Sequence, residues 1–166
     1  MEGQQGERPN IVWIQADDLG RDLGITGTAG IETPNIDRIA GEGMFFDRFY
    51  ASAPTCAPSR TAMLTGHYAT ALNAQHHHSK PDFPEHVKHL AERLREDGGY
   101  FTANVSKNKD GRPDLGWGKL DYCWARDTAD EFYESDDYND LAENQPFYAE
   151  FQTIEPHLPW HSLEKY

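Results

Sequence analysis

Residues 11–20 read IVWIQADDLG, a short apolar run that ends abruptly in polar turn residues. A nearly continuous apolar run rich in β-branched residues is typical of a strand buried on both faces of a parallel sheet. The run is followed by Asp17 and Asp18, and open α/β sheets bind their ligands beyond the carboxyl ends of the strands. The stretch therefore predicts a buried first strand that carries two carboxylates into a site.

Strand-like and helix-like segments alternate along the rest of the chain. We expect further strands at residues 44–51, 100–105 and 147–153. Proline and glycine signals predict three helices, from Pro34 after an N-cap at Thr33, from Pro58 to Gly66, and from Pro84 to Gly98. This alternation predicts an α/β fold, a largely parallel sheet flanked by helices.

Composition and charge exclude several classes of protein. The 166 residues fit one domain, 1–166, and the 12% of aromatic residues argue against a disordered chain. A net charge of -13 repels phosphate backbones, so we expect no nucleic acid partner. No run approaches the roughly 18 apolar residues of a membrane span. The two cysteines, Cys56 and Cys123, are too few for a disulfide scaffold.

Much of the acidity lies in one stretch, residues 127–143, which holds eight carboxylates and no Lys or Arg. Its spacing lacks the glycine and the terminal glutamate of a calcium-binding EF-hand loop. We therefore interpret 127–143 as an acidic surface insertion. Residues 1–8 are a polar leader without the apolar core of a signal peptide, so either the true start lies upstream or the chain stays in the cytoplasm.

The sequence Cys56-Ala57-Pro58-Ser59-Arg60 carries the strongest chemical signal. A thiol at the start of a helix lies where unpaired N–H groups and the helix dipole favour an anion or a thiolate. Arg60 lies one turn further along and is placed to bind the same anion. Three residues separate Cys56 from Arg60, whereas a cysteine phosphatase loop has five. A buried structural cysteine is the alternative interpretation.

The adjacent carboxylates of Asp17 and Asp18 suggest a cation. Neighbouring carboxylates repel each other unless a cation or hydrogen bonds hold them, so a hard metal ion is the economical explanation. A solvated turn is the alternative, because Asp-Asp-Leu-Gly is also common in turns.

Taken together, four ordered stretches resemble the type I, formylglycine-dependent sulfatases of the alkaline-phosphatase-like superfamily. The resemblance covers nearly the whole chain, and four matches in order are far more specific than one. The matching stretches are residues 8–12 leading to Asp17-Asp18, residues 33–37, residues 56–60 with 64–66, and residues 155–160.

The resemblance implies roles for the matching positions. Cys56 is similar to the cysteine that a formylglycine-generating enzyme oxidises to formylglycine, whose hydrate is the nucleophile. Asp17, Asp18 and residue 56 are similar to ligands of a divalent metal, Ca²⁺ or Mg²⁺. Arg60 resembles the residue that holds the hydrated formylglycine. Lys107 and His157 resemble the lysine and histidine that contact the sulfate.

Two departures from the family pattern stand out. The family often has a histidine two positions after the lysine, and Lys109 occupies that position here. The family's later segment, which supplies further metal ligands and another basic contact, is expected after Tyr166. We therefore expect this chain to be the N-terminal part of an alkaline-phosphatase-like catalytic domain, apparently truncated. By itself it should hydrolyse sulfate esters poorly or not at all.

By resemblance the predicted function is sulfuric ester hydrolysis, with a sulfated glycan or aryl ester as partner. A phosphonate or phosphodiester hydrolase of the same superfamily is one alternative, and a catalytically incompetent fragment is the other. Relatives are commonly periplasmic, secreted or lysosomal, which leaves the localisation of this chain open.

Other histidines have plainer interpretations. The run at residues 76–78 is a polar loop or, alternatively, a loop that lines the cleft. We expect His86 and His89 to be solvated on the polar side of the third helix, and Cys123 to be packed rather than reactive.

Overall fold

A four-stranded parallel sheet forms the centre of the computed structural model, which describes residues 8–77, 79–107, 132–153 and 156. The strands are β1 (Ile11–Ala16), β2 (Phe101–Lys107), β3 (Ser135–Asp137) and β4 (Phe147–Thr153). Their order across the sheet is β1-β4-β2-β3, and every neighbouring pair is parallel. The predicted α/β fold with a parallel sheet is confirmed.

Four α-helices accompany the sheet in the described residues, and none of them is long and apolar enough to cross a membrane. They are α1 (Pro34–Glu42), α2 (Cys56–Thr65), α3 (Leu90–Glu96) and α4 (Asp140–Glu143), with short 3₁₀ turns at Gly24–Thr26 and Ala69–Leu72. Thr33 and Pro34 begin α1 as predicted. Helix α2 begins two residues before Pro58, so Cys56 is its first helical residue.

Two predicted elements are wrong. Residues 44–51 form no strand, and their large side chains, including Met44, Phe46 and Tyr50, are exposed. Asp47 and Arg48 interrupt their apolar run, and no strand described here pairs with it. The third helix begins at Leu90 instead of Pro84, because His89 is extended and caps it.

Each face of the sheet packs against a different core. On one face, Tyr148 packs with buried side chains from α2, α3 and the 3₁₀ turn at 69–72. On the other face, Ala103, Val105 and Ala149 pack with Leu141 of α4. The prediction that β1 is buried on both faces is wrong within the described residues, because Val12 is 53% exposed and Ile14 67%.

The described part of the acidic stretch contains ordered elements that the sequence did not predict. β3 and α4 both lie in it, and Phe132, Tyr133 and Leu141 are buried. Acidic residues are depleted in strands, so propensity gave no signal for β3. Residues 127–131 lie outside the described residues, and a surface insertion over 127–143 stays a prediction.

His89 is buried rather than solvated, which corrects the prediction made for it. Its ring Nδ1 accepts a hydrogen bond from Ala91 N at 3.1 Å. The backbone N–H of His89 donates to Glu92 Oε2 at 2.8 Å. The ring stacks on Phe132 at 4.5 Å between centroids and meets Tyr133 edge-on. Burial lowers the pKa of His89 from 6.5 to about 3, because the interior disfavours the charged imidazole.

This lowered pKa predicts a loss of stability in acid. Below about pH 6.5 the unfolded chain binds a proton at His89 and the folded chain does not, so the free energy of unfolding falls until about pH 3. Between pH 7 and pH 5 we expect His89 to contribute a loss of about 2 kcal/mol. His89→Asn keeps a capping side chain and should remove this component from urea unfolding curves. Equal pH dependence in the two proteins would contradict the assignment.

Candidate active site

A cavity of about 260 Å³ lies at the carboxyl edge of the sheet. Asp17 follows β1 directly and continues its pairing, since Asp17 N donates to Thr153 O at 3.1 Å. The loop before α2 and the first turns of α2 complete the wall. The polar side chains of the lining are Gln15, Asp17, Asp18, Thr55, Cys56, Ser59 and Arg60. Sequence-predicted residues from β1 and from α2 are thus brought into one cavity.

The two adjacent aspartates have different environments. Asp17 is buried, with 4% exposure, whereas Asp18 is exposed. Asp18 adopts a left-handed backbone conformation with φ 60°, which aspartate tolerates better than most residues. The predicted turn is therefore present at Asp18, and both carboxylates line the cavity.

Helix α2 presents Cys56 and Arg60 to the cavity on the same side. Cys56 is its first residue and Arg60 lies four positions later, so the two side chains share one face. Thr55 is extended and its side chain makes no capping hydrogen bond. Pro58 has no N–H to satisfy, which suits the first turn of a helix. Cys56 is half-buried at this helix start and is not part of a disulfide.

A buried ion pair joins the sheet to α2. Arg60 Nη2 lies 3.1 Å from Asp17 Oδ1, and both side chains are 4% exposed. Arg60 Nη1 donates to Gln152 Oε1 at 2.7 Å, which ties the same guanidinium to β4. Both hydrogen bonds use the planar fork of arginine, so the position of Arg60 relative to both strands is closely defined.

The network continues along one face of β4. Gln152 Nε2 donates to Glu150 Oε2 at 3.1 Å, and Tyr148 Oη donates to Glu150 Oε1 at 2.5 Å. All three residues of β4 are at most 2% exposed. Alternation along a strand places residues 148, 150 and 152 on one face, directly behind the ion pair. Sequence reasoning missed these residues, although the alternation of polar residues in FYAEFQT was a usable signal.

A histidine from a separate loop reaches Cys56. His77 Nε2 lies 3.5 Å from Cys56 Sγ, within reach of a hydrogen bond to sulfur. His77 belongs to the run at residues 76–78, for which a plain polar loop was the first interpretation. His77 contacts Cys56 but is not among the residues that line the cavity, so a loop that lines the cleft stays a prediction.

Of the remaining residues singled out in the sequence analysis, Lys107 is described by its backbone alone. Lys107 is the last residue of β2, so its backbone lies at the carboxyl edge that also carries Asp17. His157, Lys109 and Cys123 lie outside the described residues. Asp17, Asp18, Cys56 and Arg60 are therefore the predicted residues that the cavity brings together.

The donor atoms match calcium in type but not in number. Asp17 and Asp18 offer carboxylate oxygens, the ligands that Ca²⁺ and Mg²⁺ prefer. Asp17 is also paired with Arg60, which competes for its negative charge. In the part of the chain that the structure describes, no three His, Cys, Asp or Glu side chains are grouped to hold one ion. These residues alone do not complete a metal site.

Comparison with known proteins identifies the family. The family model described as Sulfatase matches residues 9–166. The chain belongs to the sulfatase family. The predicted resemblance is confirmed, and the classification as a sulfatase with it.

Individual sulfatases are similar over different parts of the chain. N-acetylgalactosamine-6-sulfatase of Mus musculus is 39% identical over 110 residues, 60% of this chain and 21% of that protein. The ulvan-active sulfatase of Formosa agariphila is 31% identical over 165 residues, 91% of this chain and 26% of that protein. The crystal structure of Ps i-CgsB shares the fold with a TM-score of 0.68 at 23% identity, covering 96% of this chain and 48% of that one. This sulfatase chain thus spans about a quarter of the length of N-acetylgalactosamine-6-sulfatase and of the ulvan-active sulfatase.

The buried ion pair predicts a large cost of removing Arg60 from this sulfatase chain. Arg60→Ala leaves the Asp17 carboxylate buried without its guanidinium, which should lower the free energy of unfolding by about 3–5 kcal/mol. Arg60→Lys should lower the free energy of unfolding by less, because lysine keeps the positive charge, although it lacks the planar guanidinium that contacts both Asp17 and Gln152. Urea unfolding at neutral pH measures both.

Arg38→Ala is the matched control. Arg38 pairs with Glu42 across one turn of α1, and both side chains are largely exposed. Removing such a surface pair should change stability by only a few tenths of a kcal/mol. Similar losses for Arg38→Ala and Arg60→Ala would show that the buried pair is not a structural link.

Proposed function

We propose that this sulfatase chain carries the nucleophilic half-site of a sulfuric ester hydrolase acting on a sulfated carbohydrate or aryl ester. The observation that carries the proposal is that Cys56 and the Asp17–Arg60 pair line one cavity at the carboxyl edge of the sheet. The similar N-acetylgalactosamine-6-sulfatase and ulvan-active sulfatase support a sulfated carbohydrate substrate by their names.

Residue 56 acts in this proposal as formylglycine. An unmodified thiol attacking sulfur would form a covalent adduct with no internal route to release it. The hydrate of an aldehyde carries two hydroxyls on one carbon. One hydroxyl attacks sulfur and displaces the alcohol, and the other collapses to the aldehyde and expels sulfate. The partner that this requires is a formylglycine-generating enzyme.

The proposed reaction needs positive charge near residue 56, because a sulfate ester is an anion. Negative charge builds on the bridging oxygen as the S–O bond breaks, and fixed positive groups stabilise it. Arg60 holds a permanent positive charge one helical turn from residue 56, where it holds Asp17 and the hydrated formylglycine in position. By the resemblance, Lys107 is the proposed contact of the sulfuryl oxygens, and His157 is the proposed contact of the sulfate or the leaving oxygen.

Asp17 and Asp18, with residue 56, are the proposed ligands of a divalent cation, Ca²⁺ or Mg²⁺. When bound, such an ion neutralises charge on the sulfuryl oxygens. The chain itself holds the two carboxylates at the cavity. The ion pair with Arg60 holds Asp17, and the turn holds Asp18.

The first test is chemical and concerns residue 56. Co-expression with a formylglycine-generating enzyme should make the peptide containing residue 56 about 18 Da lighter than its thiol form, because oxygen replaces the thiol. The peptide containing Cys123 should keep its thiol mass and is the internal control. An unshifted residue-56 peptide under these conditions would contradict the proposal.

The second test is sulfate release from a chromogenic aryl sulfate by the converted protein, expressed from its complete reading frame. Cys56→Ala should abolish release, and Cys123→Ala should leave it unchanged. The matching aryl phosphonate ester, assayed in parallel, separates sulfur from phosphorus specificity. Activity that survives Cys56→Ala would show that residue 56 is not the nucleophile.

A third test concerns the cation. With two carboxylates and residue 56 as donors, the described part of the site offers fewer oxygen ligands than the about six to eight that calcium takes. Calorimetry should therefore give a dissociation constant of about 10⁻⁴ M or weaker. Asp18→Asn tolerates the same left-handed turn and should abolish this binding without loss of stability.

Asp22→Asn is the control for that measurement, since Asp22 is an exposed aspartate just beyond the same turn. It should leave calcium binding unchanged. Tight binding that Asp18→Asn does not affect would place the ion elsewhere, with the acidic stretch as the first candidate.

A further inference from the structure

Gln152 lies at the end of the polar row of β4 that is nearest the cavity. Its Oε1 accepts a hydrogen bond from Arg60 Nη1 at 2.7 Å, and its Nε2 donates to Glu150 Oε2 at 3.1 Å. The side chain is 1% exposed, so these contacts lie away from bulk water. Gln152 therefore connects the guanidinium at the cavity to the interior of the sheet.

The amide of Gln152 has one orientation that satisfies both of these neighbours. A guanidinium donates hydrogen bonds and accepts none, whereas an ionised carboxylate accepts hydrogen bonds and donates none. The carbonyl oxygen of Gln152 must therefore face Arg60, and its NH₂ group must face Glu150. A reversed amide would place N–H against N–H on one side and oxygen against oxygen on the other.

Glu150 fixes this orientation from behind. Its Oε1 accepts a hydrogen bond from Tyr148 Oη at 2.5 Å, and its Oε2 accepts the one from Gln152. Both oxygens of Glu150 thus serve as acceptors, and the side chain is only 2% exposed. The direction of hydrogen bonding is therefore set along the row, and the row ends in a carbonyl oxygen directed at Arg60.

The contact with Gln152 determines how the guanidinium of Arg60 is turned. Asp17 holds Nη2 at 3.1 Å, and Gln152 holds Nη1. Two contacts fix the orientation of a planar group, whereas a single contact leaves it free to turn about the remaining hydrogen bond. In the proposed function this guanidinium holds the hydrated formylglycine at position 56, one helical turn away. A turned guanidinium would hold the hydrate in the wrong place.

We propose that Gln152 is a positioning residue for sulfate ester hydrolysis, which acts through Arg60 and whose own orientation is set by Glu150. The inference rests on the proposed function, since it needs residue 56 as the nucleophile. Gln152 is not among the residues that line the cavity, so its effect passes through Arg60. Misplacement of a nucleophile slows the chemical step and does not weaken substrate binding. The signature of this role is a lower kcat at an unchanged KM.

The first test is Gln152→Met, which keeps the length of the side chain and removes the amide. Each protein is expressed from its complete reading frame and assayed on an aryl sulfate below the onset of thermal unfolding. The kcat is divided by the formylglycine content of the residue-56 peptide, so incomplete conversion does not lower it. Gln152→Met should lower this normalised kcat by about 10–100-fold and leave KM unchanged.

Thr65→Val is the matched control for the loss of a buried hydrogen bond. Thr65 is buried on the same helix as Arg60 and is not among the residues that line the cavity. Its Oγ donates to Thr61 O at 2.7 Å. Thr65→Val should lower the midpoint of urea unfolding, as Gln152→Met should, because each removes a buried hydrogen bond. It should leave the normalised kcat at the wild-type value.

The second test exchanges the two side chains of the row. Gln152→Glu alone places two carboxylates against each other and should lower the normalised kcat as Gln152→Met does. In the double variant Glu150→Gln/Gln152→Glu, the amide at position 150 donates to the carboxylate at position 152, which accepts from Arg60. Every donor again faces an acceptor and the net charge is unchanged, so the double variant should regain most of the wild-type kcat.

The remaining outcomes separate this inference from the proposed function. A wild-type kcat in Gln152→Met, or a fall that Thr65→Val reproduces, would show that Gln152 contributes only to packing and would leave the proposed function intact. A double variant no more active than Gln152→Glu would contradict the orienting role of Glu150. If the wild-type protein releases no sulfate, the proposed function itself fails. Should Gln152→Met not fold, Gln152→Asn decides by the same kcat criterion, because its amide is one methylene too short to reach both partners.

Discussion

The ion pair between Asp17 and Arg60 is the interaction on which the cavity depends. It joins the end of β1 to the second turn of α2, and both partners are almost fully buried. An isolated charge at either position would be strongly destabilising, so each residue needs the other. Gln152 extends the link to β4, so two strands and one helix meet at a single guanidinium. The position of Cys56 follows from this link, because it lies one turn before Arg60 on the same helix.

The sheet supports this arrangement by its parallel topology. Because β1 and β4 are parallel neighbours, their carboxyl ends lie at one edge and Arg60 can contact residues from both. The polar face of β4 then supplies Gln152, Glu150 and Tyr148 as a hydrogen-bonded row behind the guanidinium. A polar row in a sheet interior is destabilising unless its groups are satisfied, and here the hydrogen bonds run continuously from Tyr148 to Asp17. The rigidity of the cavity wall follows from this satisfied row.

Much of this arrangement could be predicted from sequence, and the rest could not for physical reasons. Strand β4 was predicted with its observed ends, and the start of α1 followed from Thr33-Pro34. Asp17, Asp18, Cys56 and Arg60 were predicted by motif, and the cavity contains all four. The contact of His77 with Cys56 depends on the path of a loop, which local spacing does not determine. The burial of His89 was missed because its partners, Phe132 and Tyr133, lie more than 40 residues away along the chain.

The central claim is that residue 56 attacks sulfur from within this cavity, and Cys56→Ser tests it most directly. A serine has one hydroxyl, so it can form the sulfate ester but has no second hydroxyl with which to release it. We expect the Cys56→Ser protein, expressed from its complete reading frame and incubated with an aryl sulfate, to release at most one equivalent of the phenol. Its residue-56 peptide should gain one sulfuryl group. Continuous turnover by Cys56→Ser, or a peptide that stays unsulfated while the formylglycine form hydrolyses the same ester, would contradict the account.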